Sequence, residues 1–209
     1  MPRILSDPIN WAKIGVSRAH YAVLTSDPLN EGGTQPVAPV YSTPKALINV
    51  KTLNVSSGDA SNTEYYDNAP KITVTSKSEK TVALTRASLS TEEMRTLLGL
   101  QVDSRGLTVE GKDSMPPYVA LGFVTEKSNG AERYTWLLKG KFFLNEDNAA
   151  SKEASVTMQN QTINGTFIER QADGQIRLVA DTDDDGIEDR SIFTNWFTLA
   201  TLQALIEVA

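Results

Sequence analysis

The clearest pattern along the chain is alternation. In KITVTSKSEKTVALT, Lys71–Thr85, the even positions Ile72, Val74, Val82 and Leu84 are apolar. The odd positions Thr73, Thr75, Thr81 and Thr85 are small and polar. Successive strand side chains point to opposite faces, so this segment predicts one long strand with one face on a core and one in water. VSRAHYAVLT, Val16–Thr25, and ALINVKTLNV, Ala46–Val55, read as two more strands. Ser26–Pro44, with two adjacent glycines and four prolines, reads as loop throughout, and Ser56–Pro70 as a long polar loop with three turn signals. The first fourteen residues follow neither the strand nor the helix period and read as an extended arm.

One segment breaks to a helical period. In LSTEEMRTLLG, Ser90 stands three residues before Glu93, the spacing of a capping box in which each side chain bonds the other's free backbone N–H. Leu89 and Met94 occupy the staple positions, Met94, Leu97 and Leu98 form one apolar stripe, and Gly99 supplies the stop. A helix this short belongs against the flank of a sheet.

Two hairpins follow. A two-residue turn at Asn129-Gly130 sets Lys127 against Glu132, Glu126 against Arg133 and Phe123 against Trp136. Val119, Leu121, Phe123, Tyr134, Trp136 and Leu138 would then share one face. In TFIERQADGQIRLVA a three-residue loop, Ala172 to Gly174, sets Glu169 against Arg177 and Phe167 against Val179, with Gly174 in the left-handed conformation. Just before it, Ser155, Thr157, Gln159 and Gln161 line one uncharged face. The total is six or seven antiparallel strands, one capped helix and a partly helical close, SIFTNWFTLATLQALIEVA. The fold class is mainly β: an antiparallel sandwich or split barrel with one flanking helix.

Composition narrows the chemistry. The chain has 209 residues, is 40% hydrophobic and 22% charged, carries a formal net charge of −6 and contains no cysteine. Disulfides and thiolate sites are excluded, and no basic stripe exists with which to grip phosphates. No apolar run reaches membrane-spanning length, and the N-terminus lacks the apolar stretch of a secretory signal. No GxSxG, HExxH or GxGxxG occurs, and Gly32-Gly33 is not followed by the lysine of a phosphate-cradling loop. The single histidine, His20, lies within a strand and reads as structural. Nothing argues for an enzyme, and no cofactor is implied.

The most chemically loaded stretch is DTDDDGIEDR, Asp181–Arg190. Counting from Asp181, the residues Asp183, Asp185 and Asp189 fall at positions 3, 5 and 9 of a calcium loop, with Gly186 at 6. Position 12, where a bidentate acid would close the cage, is Ile192. Two readings stay open: a solvated strand-to-helix connection with carboxylates near a helix N-terminus, and the calcium loop of a β-rich binding or adhesion module.

An ordered series of motifs carries a resemblance. PPYVALGFVTEKSNGAERYTWLLKGKF with the following Phe143, then an acidic NEDNAASKE, is similar to the most recognisable segment of the major tail proteins of long-tailed bacteriophages. LSTEEMRTLLG with VDSRGL, INGTFIER with DGQIR, and IFTNWF extend the similarity over roughly Ile14 to Phe197. The resemblance implies a tail tube β-sandwich domain at 15–197 with its helix at 90–99, which leaves an arm at 1–14 and a C-terminal extension at 198–209. The arm and the C-terminal extension are where the chain departs from the family pattern, MPRILSDPINWAK ahead of it and TLATLQALIEVA beyond it. The resemblance implies a subunit that assembles with itself as hexameric rings stacked into a hollow tube, the architecture also of the type VI secretion tube protein. Implied partners are a tape measure protein, a tail terminator and distal tail proteins, with phage DNA in transit but not specifically bound, and no membrane. The implied location is the virion tail, after synthesis in the host bacterial cytoplasm. In such a tube the 56–70 loop, with Asn62, Glu64, Tyr65, Tyr66 and Asp67, is expected to contact the next ring. Thr73, Thr75, Thr81, Ser155, Thr157, Gln159 and Gln161 are the candidates for the channel face, since hydroxyls and amides give a passing polyanion nothing to bind.

Overall fold

A computed structural model describes residues 12–29, 36–147 and 159–206. The expectations for the arm through residue 11, and for Ser155 and Thr157, lie outside the described residues.

The elements run β1 (Lys13–Ser26), β2 (Val40–Tyr41), β3 (Lys45–Leu47), β4 (Val50–Ser57), β5 (Ala60–Tyr66), β6 (Ala69–Ser76) and β7 (Lys80–Arg86), then α1 (Thr91–Leu98). They continue with β8 (Gln101–Val102), β9 (Thr108–Val109), β10 (Val119–Lys127), β11 (Glu132–Phe143), β12 (Gln161–Ile168) and β13 (Arg177–Asp181). Two short helices, α2 (Ser191–Thr194) and α3 (Leu199–Gln203), follow. The main sheet has the order β2-β1-β10-β11-β12-β7-β4, with β3 also on β1 and β13 also on β11; all pairs are antiparallel. The chain passes directly from β3, at one end of the sheet, to β4 at the other, so the sheet curls into a split barrel.

Over β1, β10 and β11 the sheet is buried on both faces. Inside the curl, Tyr21, Leu84, Leu121, Leu137, Phe142, Ile163 and Phe167 form one core with Leu89, Leu97 and Leu98 from the helix region. On the other face, Ala22, Val124, Tyr134, Trp136 and Leu138 form a second core. The C-terminal segment closes it with Trp196 and Leu202, and the Trp136 indole donates to the carbonyl of Trp196 at 2.9 Å. Leu202 is fully buried, so the segment expected as an extension from residue 198 contributes to the body of the fold through α3. The His20 ring stacks on Phe197 with centroids 4.0 Å apart, the structural role expected of it.

The helix matches its sequence signals. Ser90 accepts from the Glu93 amide, the Glu93 carboxylate accepts from the Ser90 amide, and Gly99 ends the helix at φ 68°. The second Glu93 oxygen binds the buried Arg86 at 2.8 Å, which ties the capping box to the end of β7.

Several expectations are corrected. The segment 56–70 is not a loop: β5 and β6 form a two-stranded ribbon, and the predicted strand 71–85 is two strands, β6 and β7. The ribbon turns at Asp67-Asn68, both at positive φ (54° and 63°), a two-residue turn that Asp and Asn tolerate. The strand expected over 46–55 breaks at Asn49, φ 60°, where the chain crosses from β3 to β4. Within 26–44, Val40 and Tyr41 pair with β1.

The β10–β11 register is displaced by one residue from the expected one. Glu126 faces Glu132, Phe123 faces Thr135 and Gly122 faces Trp136. Lys127 bonds Ala131 across a three-residue loop in which Gly130 takes φ 78°, open to glycine without strain. A one-residue displacement moves every partner to the other face. The six residues expected on one face therefore divide between the cores: Val119, Leu121 and Phe123 inside, Tyr134, Trp136 and Leu138 outside.

The second expected hairpin is not one. The 170–175 turn does form, with Arg170 N–H donating to the Gln175 carbonyl and Gly174 at φ 69°. But β12 and β13 both pair with β11, end to end along one edge: Lys139 faces Ile168 and Leu137 faces Arg177. Residues 169–176 are an excursion from a single edge, pinned by Asp27, whose carboxylate accepts from the Gln171 and Ala172 amides and pairs with Lys139.

Candidate functional site: an uncharged sheet face, a free ribbon and an acidic connection

Strand parity assembles an unexpected surface. Opposite the inner core residues Val82, Leu84, Ile163 and Phe167, the outward positions of β4, β7 and β12 lie in register. Ser56, Thr81 and Thr166 form one row, Asn54, Ala83 and Asn164 the next, and Thr52, Thr85 and Thr162 the third. Nine positions carry hydroxyls, amides and one methyl, and no charge. Thr85 and Thr162 share a hydroxyl hydrogen bond of 2.8 Å. The rows extend onto β11 as Lys141 and Phe143. Lys141 is drawn to the margin, its ammonium 4.6 Å from the centre of the Tyr118 ring.

Of the seven candidates for a channel face, Thr81 lies on this surface. Thr73 and Thr75 lie on the ribbon, where Thr63 and Thr73 share a hydroxyl contact of 3.2 Å. Gln161 has the opposite parity, that of Ile163 and Phe167, and its side-chain oxygen accepts from the Leu89 amide before the helix. Gln159 is exposed ahead of β12. Sequence reading missed Thr52, Asn54, Ser56, Thr162, Asn164 and Thr166. The alternation T-I-N-G-T-F at 162–167 carried the signal, with its even positions polar.

The ribbon stands apart from both cores. Its strands pack mainly on each other, and almost every residue of both is exposed. Its root is closed by Asp59, whose carboxyl lies well below the usual range because the Ser57 hydroxyl, the Ser78 amide and Lys80 all bind it. Asn62 and Glu64 share one face with Ile72 and Val74, while Tyr65 and Tyr66 flank the tip, 66% and 51% exposed. Asp67, in the turn, pairs with Lys71 at 3.1 Å. The five residues expected at an inter-ring contact thus lie on one projecting element, Asn62 and Glu64 along β5 and Tyr65, Tyr66 and Asp67 at its far end. A two-stranded hairpin is marginally stable alone in water, and this one carries exposed Ile72, Val74 and two tyrosines.

The acidic connection is locked by cations. Asp181 receives Arg133 through two bonds of 2.6 Å and Lys127 at 2.8 Å. Asp183 receives Lys127 at 2.5 Å and Asn129 at 3.0 Å. Asp184 accepts from the Gly186 amide, and Asp189 accepts from the Ser191 amide at the start of α2. Two carboxylates that a calcium cage would need are therefore engaged by protein cations, and Asp185 is exposed. The Glu126–Glu132 juxtaposition is relieved separately, since the Glu132 carboxylate accepts from Arg18 and from the Tyr134 hydroxyl.

The hydrogen bonds from Arg133, with those from Lys127, lower the Asp181 carboxyl from 3.8 to about 2. A depressed carboxyl contributes stability above its unfolded pKa, and loses it as pH falls through the folded value. Asp181→Asn is expected to cost about 1–2 kcal/mol at neutral pH, after allowance for partial solvent screening. The difference in melting temperature from the parent should close between about pH 4 and pH 2. A gap that stays constant down to pH 2 would refute this account.

Residues 37–203 match the family model for phage tail tube protein. The chain belongs to the phage tail tube protein family. Comparison with curated proteins gives no match. The family match takes in the uncharged face, the ribbon, the acidic connection and both short C-terminal helices. As a tail tube protein the chain is a structural subunit of a virion tail that assembles with itself and other tail components. Among the described residues, no helix is long and apolar enough to cross a membrane.

Proposed function

We propose that this subunit forms hexameric rings that stack into the tail tube of a long-tailed phage, the conduit through which DNA is ejected into the host. The observation that carries this reading is the uncharged outward face of β4, β7 and β12. Phosphate affinity comes chiefly from cations that release condensed counterions. A wall of Thr, Ser and Asn offers a polyanion no such attraction, and a six-subunit ring at −6 each carries about −36 of repelling charge. Thr52, Asn54, Ser56, Thr81, Thr85, Thr162, Asn164 and Thr166 face the channel, with the hydroxyls of Thr73 and Thr75 on the ribbon available to continue it. The ribbon reaches the neighbouring ring, where Asn62, Glu64, Tyr65, Tyr66 and Asp67 make the contact, and its marginal stability alone is offset by that contact. Tape measure, tail terminator and distal tail proteins are the other partners, and the subunit is made in the host cytoplasm before joining the virion.

Negative-stain microscopy of the concentrated protein tests the reading. Six-fold rings or tubes with an axial hole wide enough for duplex DNA are expected. Solid filaments, or particles that never close around a hole, would overturn it.

A further inference from the structure

The barrel is open at one end. β7 begins at Lys80, and the chain on its N-terminal side leaves as the ribbon, so among the described residues β13 pairs only with β11 and its outer edge is free. Beneath that edge the inner face of the sheet is uncovered, leaving a groove of about 520 Å³. Phe123 and Val179 line one wall, Leu53 and Val55 the other, and Lys13 and Arg177 stand at it with no acidic partner among the described residues. Asp59 and Lys80, at the root of the ribbon, also line it.

We propose that this groove is the receptor for the ribbon tip of a second copy of the chain, so that the tip of one subunit seats at the ribbon root of the next. The inference rests on the tail tube reading and names the surface that the ribbon meets. Three complementarities select this occupant. The tip offers exposed Tyr65 and Tyr66 to the four apolar side chains of the groove, Leu53, Val55, Phe123 and Val179. It offers Glu64, whose carboxylate has no cationic partner among the described residues, to Lys13 and Arg177. It also offers strand backbone to the free edge of β13, the mode by which an extended segment adds to a sheet. A subunit cannot fill its own groove: the root lines it, and seven residues of strand carry the tip roughly 24 Å away. The contact is therefore head-to-tail between different surfaces, the kind that passes from copy to copy and, where its rotation does not close on itself, builds an open stack.

The absence of cysteine makes the test direct. Tyr65→Cys with Val179→Cys, assembled under reducing conditions and then oxidised, should give a non-reducing ladder of dimers, trimers and longer chains. Either cysteine alone should give no ladder beyond dimers. Tubes seen by microscopy that yield no ladder overturn the proposal. If the double variant makes no tubes, charge reversal decides: Glu64→Lys and Arg177→Glu should each lower tube yield at least tenfold, and together restore it. Failure of the pair to restore it overturns the proposal. Loss of assembly from Glu64→Lys with none from Arg177→Glu also overturns it, while leaving the ribbon's role in stacking intact. A parent protein that forms neither rings nor tubes removes the tail tube reading and this inference with it.

Discussion

Arg170→Ala is expected to destabilise the subunit by about 3–5 kcal/mol, the usual cost of removing one partner from a buried ion pair. The Arg170 side chain is fully buried, and its guanidinium donates four hydrogen bonds. Two reach Asp173, at 2.7 and 2.5 Å, and two reach the carbonyls of Leu202 and Ala204, at 2.8 and 2.7 Å. Asp173 in turn accepts from the Ile206 amide. One guanidinium thus holds the excursion loop closed and clamps the C-terminal segment over the second core. Its removal leaves a buried carboxylate and two carbonyls without their donor. Arg170→Lys should rescue little, because a point charge cannot reproduce a planar fork that serves four acceptors. Arg170→Ala with Asp173→Ala should lose less than Arg170→Ala alone, since the stranded charge goes with it. Urea unfolding measures each variant, and proteolysis near residue 204 should accelerate in the first. A loss below 1 kcal/mol would contradict the clamp.

The second large effect concerns the proposed channel face. Thr81→Lys with Asn164→Lys places two cations on the uncharged face, on adjacent strands and in adjacent rows. In a six-subunit ring that is twelve new positive charges at the wall. Tubes of this variant should retain duplex DNA that parent tubes release, with an affinity that falls steeply between 50 and 200 mM salt. Asp113→Lys, at an exposed position outside β4, β7 and β12, changes the net charge by the same amount and serves as the control. Tubes of the control should not retain DNA. Equal retention by both variants would mean that net charge, not this surface, governs passage. Retention by neither, with tubes intact, would remove the face from the channel.

Neither effect could have been read in full from the chain. Asp173 is three residues from Arg170 and its pairing is local, but nothing at 202–204 announces that its carbonyls meet a guanidinium over thirty residues back. The uncharged face was half visible. The odd positions of 81–85 and the even positions of 162–166 each alternate, yet only the β7–β12 and β4–β7 registers align them into rows. The ribbon was misread because its turn uses Asp67-Asn68, and its polar exposed strands carry the composition of a loop.

What the sequence determined by itself was local. The Ser90–Glu93 box, the Gly99 stop, the left-handed Gly174 and the mainly β architecture follow from groups that meet within a few residues, whose energetics survive in any surroundings. Family membership was legible for a related reason, as an ordered series of such local signals. Tertiary structure decided the registers and the faces. The Asn129-Gly130 turn is compatible with two pairings one residue apart, and burial of the sheet on both sides, with Lys127 seated between Asp181 and Asp183, accompanies the one adopted. Whether β13 pairs with β12 or with β11 likewise depends on Asp27, more than 140 residues away, which holds the intervening loop out of the sheet. Such choices depend on partners distant along the chain, and no short stretch of sequence contains both halves of the interaction.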